Sequence, residues 1–258
     1  MTRALTRTNF HSSRLIRILS DLAVADGVDP GMAFAEKLGQ WVDYSDAICL
    51  SSALTANTAS PPAVSSGMPS GARVGASDAF ARIRTTLVGS ITRSGSLNVG
   101  RTPNEWPSPE PGEPLDVAAA YEPYRRSYLA LQREMDLNIR PLRAHMRDVL
   151  ARASPALKSL AALDAALDGI LCDQESKLLS TVPLLLKKRF VHLLKAHQET
   201  AAAAMSQAAN PALWTQPGGW LVRFCHEFQT VLLAELDVRL QPTVGLMEAL
   251  NNEMTKQT

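Results

Sequence analysis

Residues 155–170 read PALKSLAALDAALDGI, and the spacing of their leucines decides the fold class. Leu157, Leu160, Leu163, Leu167 and Ile170 recur at intervals of three, three, four and three. That is the spacing of one face of an α-helix and, when sustained, of a coiled-coil-like seam. A strand would alternate with a period of two, and these residues do not.

The pattern extends outward from this run. From Pro114 to the C-terminus the chain is nearly all helix-forming, in segments of about 115–153, 155–208 and 218–253. The first ends before Ser154–Pro155 and the second before Asn210–Pro211. Ridges with this spacing pack at shallow angles, so residues 115–258 are expected to form a long antiparallel helical bundle. Pro141, Pro183 and Pro242 fall inside the segments. An interior proline removes a backbone hydrogen bond and clashes with the carbonyl four residues back, so kinks are expected there. Residues 134–141 (EMDLNIRP) and 235–242 (ELDVRLQP) repeat in register. Coincidence among leucine-rich helices is weighed against a duplicated helix.

Composition agrees with an all-α fold. Hydrophobic residues make up 46% of the 258 residues and aromatics only 5%, so a core mostly of Leu, Ala and Val is expected. Ala and Leu are strong helix formers, whereas β-branched and aromatic residues favour strands. Residues 1–56 read as a small N-terminal helical module. Leu15, Ile18, Leu19 and Leu22 line one helix, and Met32, Phe34, Leu38, Trp41 and Val42 a second. A third stretch carries Ile48, Leu50 and Leu54. Trp41 is expected to pack on the first of these faces; if it is exposed instead, it becomes a docking residue.

Between module and bundle the pattern dissolves. Residues 57–75 (NTASPPAVSSGMPSGARVG) and 103–114 (PNEWPSPEPGEP) are low in apolar content and rich in Ser, Pro and Gly, as linkers are. The stretch 57–114 is therefore read as linker, with a short basic helix near 76–90. Trp106 sits in the proline-rich part, either as a docking residue or packed back on its own domain.

The charge lacks the strong basic excess expected of a dedicated nucleic-acid binder. The net charge is +1, with 10 Lys/Arg against 7 Asp/Glu over residues 1–103 and 16 against 18 over 104–258. Arg3, Arg7, Arg14 and Arg17 precede the first acid, Asp21. They are read as a solvated helix face, against a phosphate-binding segment or a mitochondrial-type presequence. The sharpest basic run is Lys187, Lys188 and Arg189. It could touch phosphates or anionic headgroups. Three consecutive cations wrap around a helix, however, so the preferred reading is a solvated collar.

Cys49, Cys172 and Cys225 are odd in number and far apart, which suits free thiols in a reducing compartment. No apolar run reaches the roughly 18 residues of a membrane span. The start of the chain lacks the apolar segment of a secretory signal. A cytoplasmic protein is expected.

Catalytic and metal motifs do not emerge. His192 and His197 are five apart and diverge on a helix, and His226–Glu227 lacks the second histidine of a zincin because position 230 is Thr. Cys225 and His226 are neighbours on a helix and point about 100° apart. Gly218–Gly219 reads as a flexible entry to the last helix. No metal, cofactor or catalytic residue is expected.

The run RTNFHSSRLIRILSDLAVADG, followed by FAEKLGQWVDYSDAICLSSAL, with Phe34, Trp41, Asp46 and Ser51 in one continuous block, resembles a proteobacterial family, domain of unknown function 3348. The later run LDAALDGILCDQESKLLSTVPLLLKKRF is similar to that family's C-terminal part. The resemblance implies a bacterial cytosolic protein and service to an envelope-associated complex; it supplies no activity and no site residues. The leading expectation is a non-enzymatic helical adaptor or scaffold with a protein partner, self-associating through the leucine seam. The alternative is a nucleic-acid-associated protein using the arginines of residues 3–17 and 82–101.

Overall fold

The computed structural model describes residues 14–23, 42–55, 70–95, 116–203, 214, 216 and 218–256, and among these all regular structure is helical. The helices are α1 (Arg14–Ala23), α2 (Tyr44–Thr55), α3 (Ser70–Gly95), α4 (Val117–Ala153), α5 (Pro155–Leu179), α6 (Val182–Ala203) and α7 (Trp220–Lys256). The chain is all-α, as its periodicity predicts.

Local chemistry sets the boundaries. Asp43 and Asp46 cap α2 reciprocally, each carboxylate accepting from the other's backbone N–H at 2.8 and 3.1 Å. Asp116 Oδ1 accepts from the N–H groups of Ala118 and Ala119 at 2.8 and 3.3 Å and starts α4. Ser154, in extended backbone, accepts from Leu157 N–H at 3.2 Å, and Pro155 takes the first-turn position where a missing N–H costs nothing. That one extended residue turns α4 into α5. Gly218 has φ +87°, a region that favours glycine, and its turn leads into α7.

The long second segment is two helices rather than one bent helix. The chain breaks at Ser180–Thr181, and Pro183 then sits in the first turn of α6. Ser180 Oγ donates to the Lys177 carbonyl at 2.7 Å, closing one of the groups left open by the break. Pro141 inside α4 and Pro242 inside α7 do not end their helices.

Helix α3 runs over Ser70–Gly95, well beyond the expected 76–90, so 70–75 and 94–95 are helix rather than linker. Buried anchors explain it. Ala76, Leu87 and Ile91 are each 1% exposed, and tertiary burial overrides the weak propensity of Ser and Gly.

The chain forms two compact units. One contains α1, α3 from Leu87, α4 to Arg133, α6, and α7 to Leu236. The other contains α2, α3 to Thr86, α4 from Glu134, α5, and α7 from Asp237. Helix α1 packs on α6 within the first unit, and α2 packs on α5 within the second. Trp41 and Trp106 lie outside the described residues.

The first unit has an aromatic core. Tyr121, Tyr124 and Tyr128 from α4 meet Phe190 from α6 and Trp220, Phe224 and Phe228 from α7. Tyr124–Phe224 and Phe190–Phe224 are edge-to-face at 5.1 Å, the arrangement favoured by ring quadrupoles. With Trp214, eight of the chain's fourteen Phe, Tyr and Trp residues are buried here. The buried residues as a whole are mostly Leu, Ala and Val, as composition predicts, and the few aromatics are concentrated in this unit. The contacts Tyr124–Phe224, Tyr128–Phe228 and Gln132–Glu235 advance together along α4 and α7, so these run parallel, whereas His197–Trp220, Phe190–Phe224 and Arg189–Glu227 set α6 antiparallel to α7.

The second unit has the aliphatic core that composition predicts. Met146, Val149 and Leu150 pack with Leu157, Ala161, Leu246, Leu250 and Ala76. Leu160 packs against this cluster, so the start of the leucine seam is used inside the unit. Leu163, Leu167 and Ile170 are half-buried.

Candidate functional site

The strongest polar constellation lies in the second unit. Arg143 and Arg147 are one turn apart on α4, and Asp164 and Asp168 one turn apart on α5, so side chains on facing helices meet as two rows. Arg143 Nε and Nη2 donate to Asp164 at 2.9 and 2.6 Å, and its Nη1 to Asp168 at 2.7 Å. Arg147 donates to the same two carboxylates at 2.7 and 2.6 Å. Burial pushes the Asp164 carboxyl up, but the hydrogen bonds and charges of both arginines outweigh it and hold it below the ordinary carboxylate range. Burial likewise favours loss of the Arg147 proton, and the two aspartates reverse that. Asp164 held this way is a weak base, and the lattice ties α4 to α5.

Beside it opens a cleft lined by Asp136, Arg140, Cys172, Glu175, Ser176 and Arg239, among others. Arg239 donates to Asp136 at 2.6 Å and lies 4.0 Å from Glu175. Burial raises the Glu175 carboxyl above its ordinary value, and the charges of Arg239 and Arg143 only partly offset it.

The first unit buries a second network. Glu235 is fully buried and accepts from Tyr128 Oη at 2.5 Å and from Gln132 Nε2 at 3.0 and 3.2 Å. Tyr121 Oη donates to the Pro183 carbonyl at 2.6 Å, and burial pushes its phenol well above the ordinary tyrosine range. In the recurring wording of 134–141 and 235–242 the apolar pairs Met135/Leu236 and Ile139/Leu240 are buried alike, whereas Glu235 is buried in this network and Glu134 is half-buried.

The basic run divides. Lys187 and Lys188 are exposed. Arg189 is not part of a solvated collar, because it turns inward and grips Glu227 with two bonds of 2.7 Å. That hydrogen bonding raises the Arg189 pKa against the effect of burial. Burial also pushes Glu227 up, but the hydrogen bonds and charges of Arg189 and Arg223 win and lower it. A position about 100° further round the helix than Lys188 reaches α7 instead of solvent. Of the other arginines considered for phosphate contact, Arg84 stands 4.0 Å from Asp237 and Arg93 donates to Ser90 Oγ.

Both polar constellations escaped the sequence reading, which searched for catalytic and metal spacing. The available signal was the pair of i, i+4 like charges, Arg143/Arg147 and Asp164/Asp168, flanking a one-residue turn.

The thiols differ sharply. Cys49 is exposed, Cys172 half-buried and Cys225 buried. Burial pushes the Cys225 thiol up to about 11, and the thiolate is the reactive form. Maleimide labelling at neutral pH should therefore modify Cys49 first, Cys172 more slowly and Cys225 only after unfolding. Early labelling of Cys225 would contradict the packing of α7.

No helix among the described residues is long and apolar enough to cross a membrane. No curated protein and no solved structure matches the chain. A family model described as a protein of unknown function (DUF3348) matches residues 1–252, and the chain belongs to that family.

Proposed function

We propose that this chain is a non-enzymatic helical adaptor of the bacterial cytosol that holds a protein partner through exposed apolar side chains. The observation that carries the reading is on α2. Tyr44 is 84% exposed and Ile48 50%, one helical turn apart, while α2 packs on α5. Single exposed apolar residues are ordinary, but a large aromatic and a β-branched residue on one turn offer a contiguous patch to a partner. The engagement of Asp136, Asp164, Asp168 and Glu227 by arginines supports a structural rather than an acid–base use of these carboxylates.

Cys49 adjoins Ile48 and gives the test a handle. A Cys172→Ser chain carrying a benzophenone on Cys49 is irradiated in extract of the producing cells. A discrete cross-linked protein is expected, lost in the Tyr44→Ser/Ile48→Ser double variant. No cross-link, or one indifferent to those substitutions, would remove the reading. Recovery of nucleic acid with steep salt dependence would favour the alternative instead.

A further inference from the structure

The cleft beside the arginine–aspartate lattice lies wholly within the second unit. Its charged lining is Asp136, Arg140 and Arg143 of α4, Asp168 and Glu175 of α5, and Arg239 of α7. Most of these pair among themselves. Arg143 Nη1 donates to Asp168 at 2.7 Å, and Arg239 Nη1 to Asp136 at 2.6 Å. The other Asp168 oxygen is taken by Arg147. Two groups of opposite sign are left over. Arg140 is exposed and has no hydrogen bond or ion pair among the described residues. Glu175, across from it on α5, is half-buried and accepts no hydrogen bond among them. Arg239 stands 4.0 Å from Glu175 and is already held by Asp136. Burial therefore keeps the Glu175 carboxyl above its ordinary value, with the charges of Arg239 and Arg143 only partly offsetting it.

We propose that this cleft binds the head group of a small zwitterion, an amino acid whose carboxylate meets Arg140 and whose ammonium meets Glu175. The ligand then neutralises both leftover groups, and the planar Arg140 guanidinium meets a planar anion that it can grip with two donors. Charge balance selects this class. A ligand with only a negative charge would gain Arg140 but leave Glu175 uncompensated. One with only a positive charge would gain Glu175 and set a second cation beside Arg140. A divalent metal needs several free carboxylates, and here Asp136 and Asp168 are held by arginines. Size agrees. The cleft encloses about 40 Å³, and one water needs about 10–15 Å³ of such space, so a head group of a few atoms fits and a nucleotide does not. Ile139, 6% exposed, supplies apolar contact for its carbon. Arg140 and Ser176 are exposed lining residues, so the rest of the ligand can reach solvent past them. The proposal stands independently of the adaptor reading.

The test uses the full chain and saturation-transfer NMR titrations with L-alanine and β-alanine. The two differ in charge separation, yet both become propionate when the ammonium is replaced by hydrogen, and ethylamine when the carboxylate is. At least one of the amino acids should bind, about tenfold or more tighter than either propionate or ethylamine, since each single-charge compound lacks one charged hydrogen-bonding partner. Arg140→Gln should lower that amino acid to the level of ethylamine and leave ethylamine no weaker. Glu175→Gln should lower it to the level of propionate and leave propionate no weaker. Both side chains are exposed or half-buried, and a cooperative circular dichroism melt establishes that the variants fold. No saturable binding of either amino acid would overturn the proposal. So would equal binding of propionate or ethylamine, or an amino-acid affinity indifferent to either substitution.

Discussion

Asp164→Ala is expected to lower the unfolding free energy by about 3–5 kcal/mol, the cost of stranding buried partners of an ion pair. The magnitude follows from position. The Asp164 side chain is 12% exposed and those of Arg143 and Arg147 are 14% and 18%, so solvent replaces the lost carboxylate poorly. Both guanidiniums lose hydrogen bonds at once, keeping only Asp168. A urea denaturation curve measures this, with Asp168→Ala as the comparison: its side chain is 34% exposed and its removal should cost less. A loss under about 1 kcal/mol for Asp164→Ala would class the lattice with surface ion pairs. The same groups set the acid response. Asp164 and Glu227 are lowered in the fold, so the stability they contribute is present above the ordinary carboxylate range. It is lost as pH falls through their folded values, below about 4. Glu175 is raised and acts oppositely: it weakens the fold when ionised, and that penalty is relieved as pH falls toward its ordinary value. Glu175→Gln should therefore raise the melting temperature at neutral pH and lose this advantage in acid.

Legibility in the sequence followed the range of the interaction. Periodicity is local, and the leucines of 157–170 sufficed for an all-helical fold. Caps are local as well: Ser154–Pro155 marks the α4–α5 turn, and Gly218–Gly219 the approach to α7. What a proline does depends on its neighbours in space. Pro183 accompanies a break while Pro141 and Pro242 stay inside helices, and the three look alike in sequence. Helix α3 exceeded its expected length because Ala76, Leu87 and Ile91 found burial that Ser–Gly composition does not report. The fate of Arg189 was hidden for the same reason. Its neighbours Lys187 and Lys188 are chemically similar, and only the presence of Glu227 across the interface separates an inward guanidinium from two outward ammonium groups.

Phe224→Ala should be the most costly single truncation in the first unit, at about 3–5 kcal/mol from lost transfer energy and the cavity left behind. Phe224 is fully buried and touches four rings: Tyr124 and Phe190 at 5.1 Å, Phe228 at 6.1 Å and Tyr121 at 6.4 Å. Edge-to-face pairs contribute about 0.5–1.5 kcal/mol each beyond buried area, so the site is placed at the upper end of that range. The rings come from three helices, α4, α6 and α7, and none can close the void without moving a backbone that already holds Tyr121 Oη against the Pro183 carbonyl. Phe224→Leu separates volume from ring geometry. It restores much of the apolar contact but not the quadrupole pairing, and should cost about 1–2 kcal/mol. Chemical denaturation followed by tryptophan emission suits the measurement, because Trp220 lies 5.2 Å from Phe190 in the same cluster. If Phe224→Ala cost less than Phe224→Leu, or both fell under about 1 kcal/mol, the aromatic cluster would not be the core that holds α4, α6 and α7 together. The concentration of rings there would then need a reason other than stability.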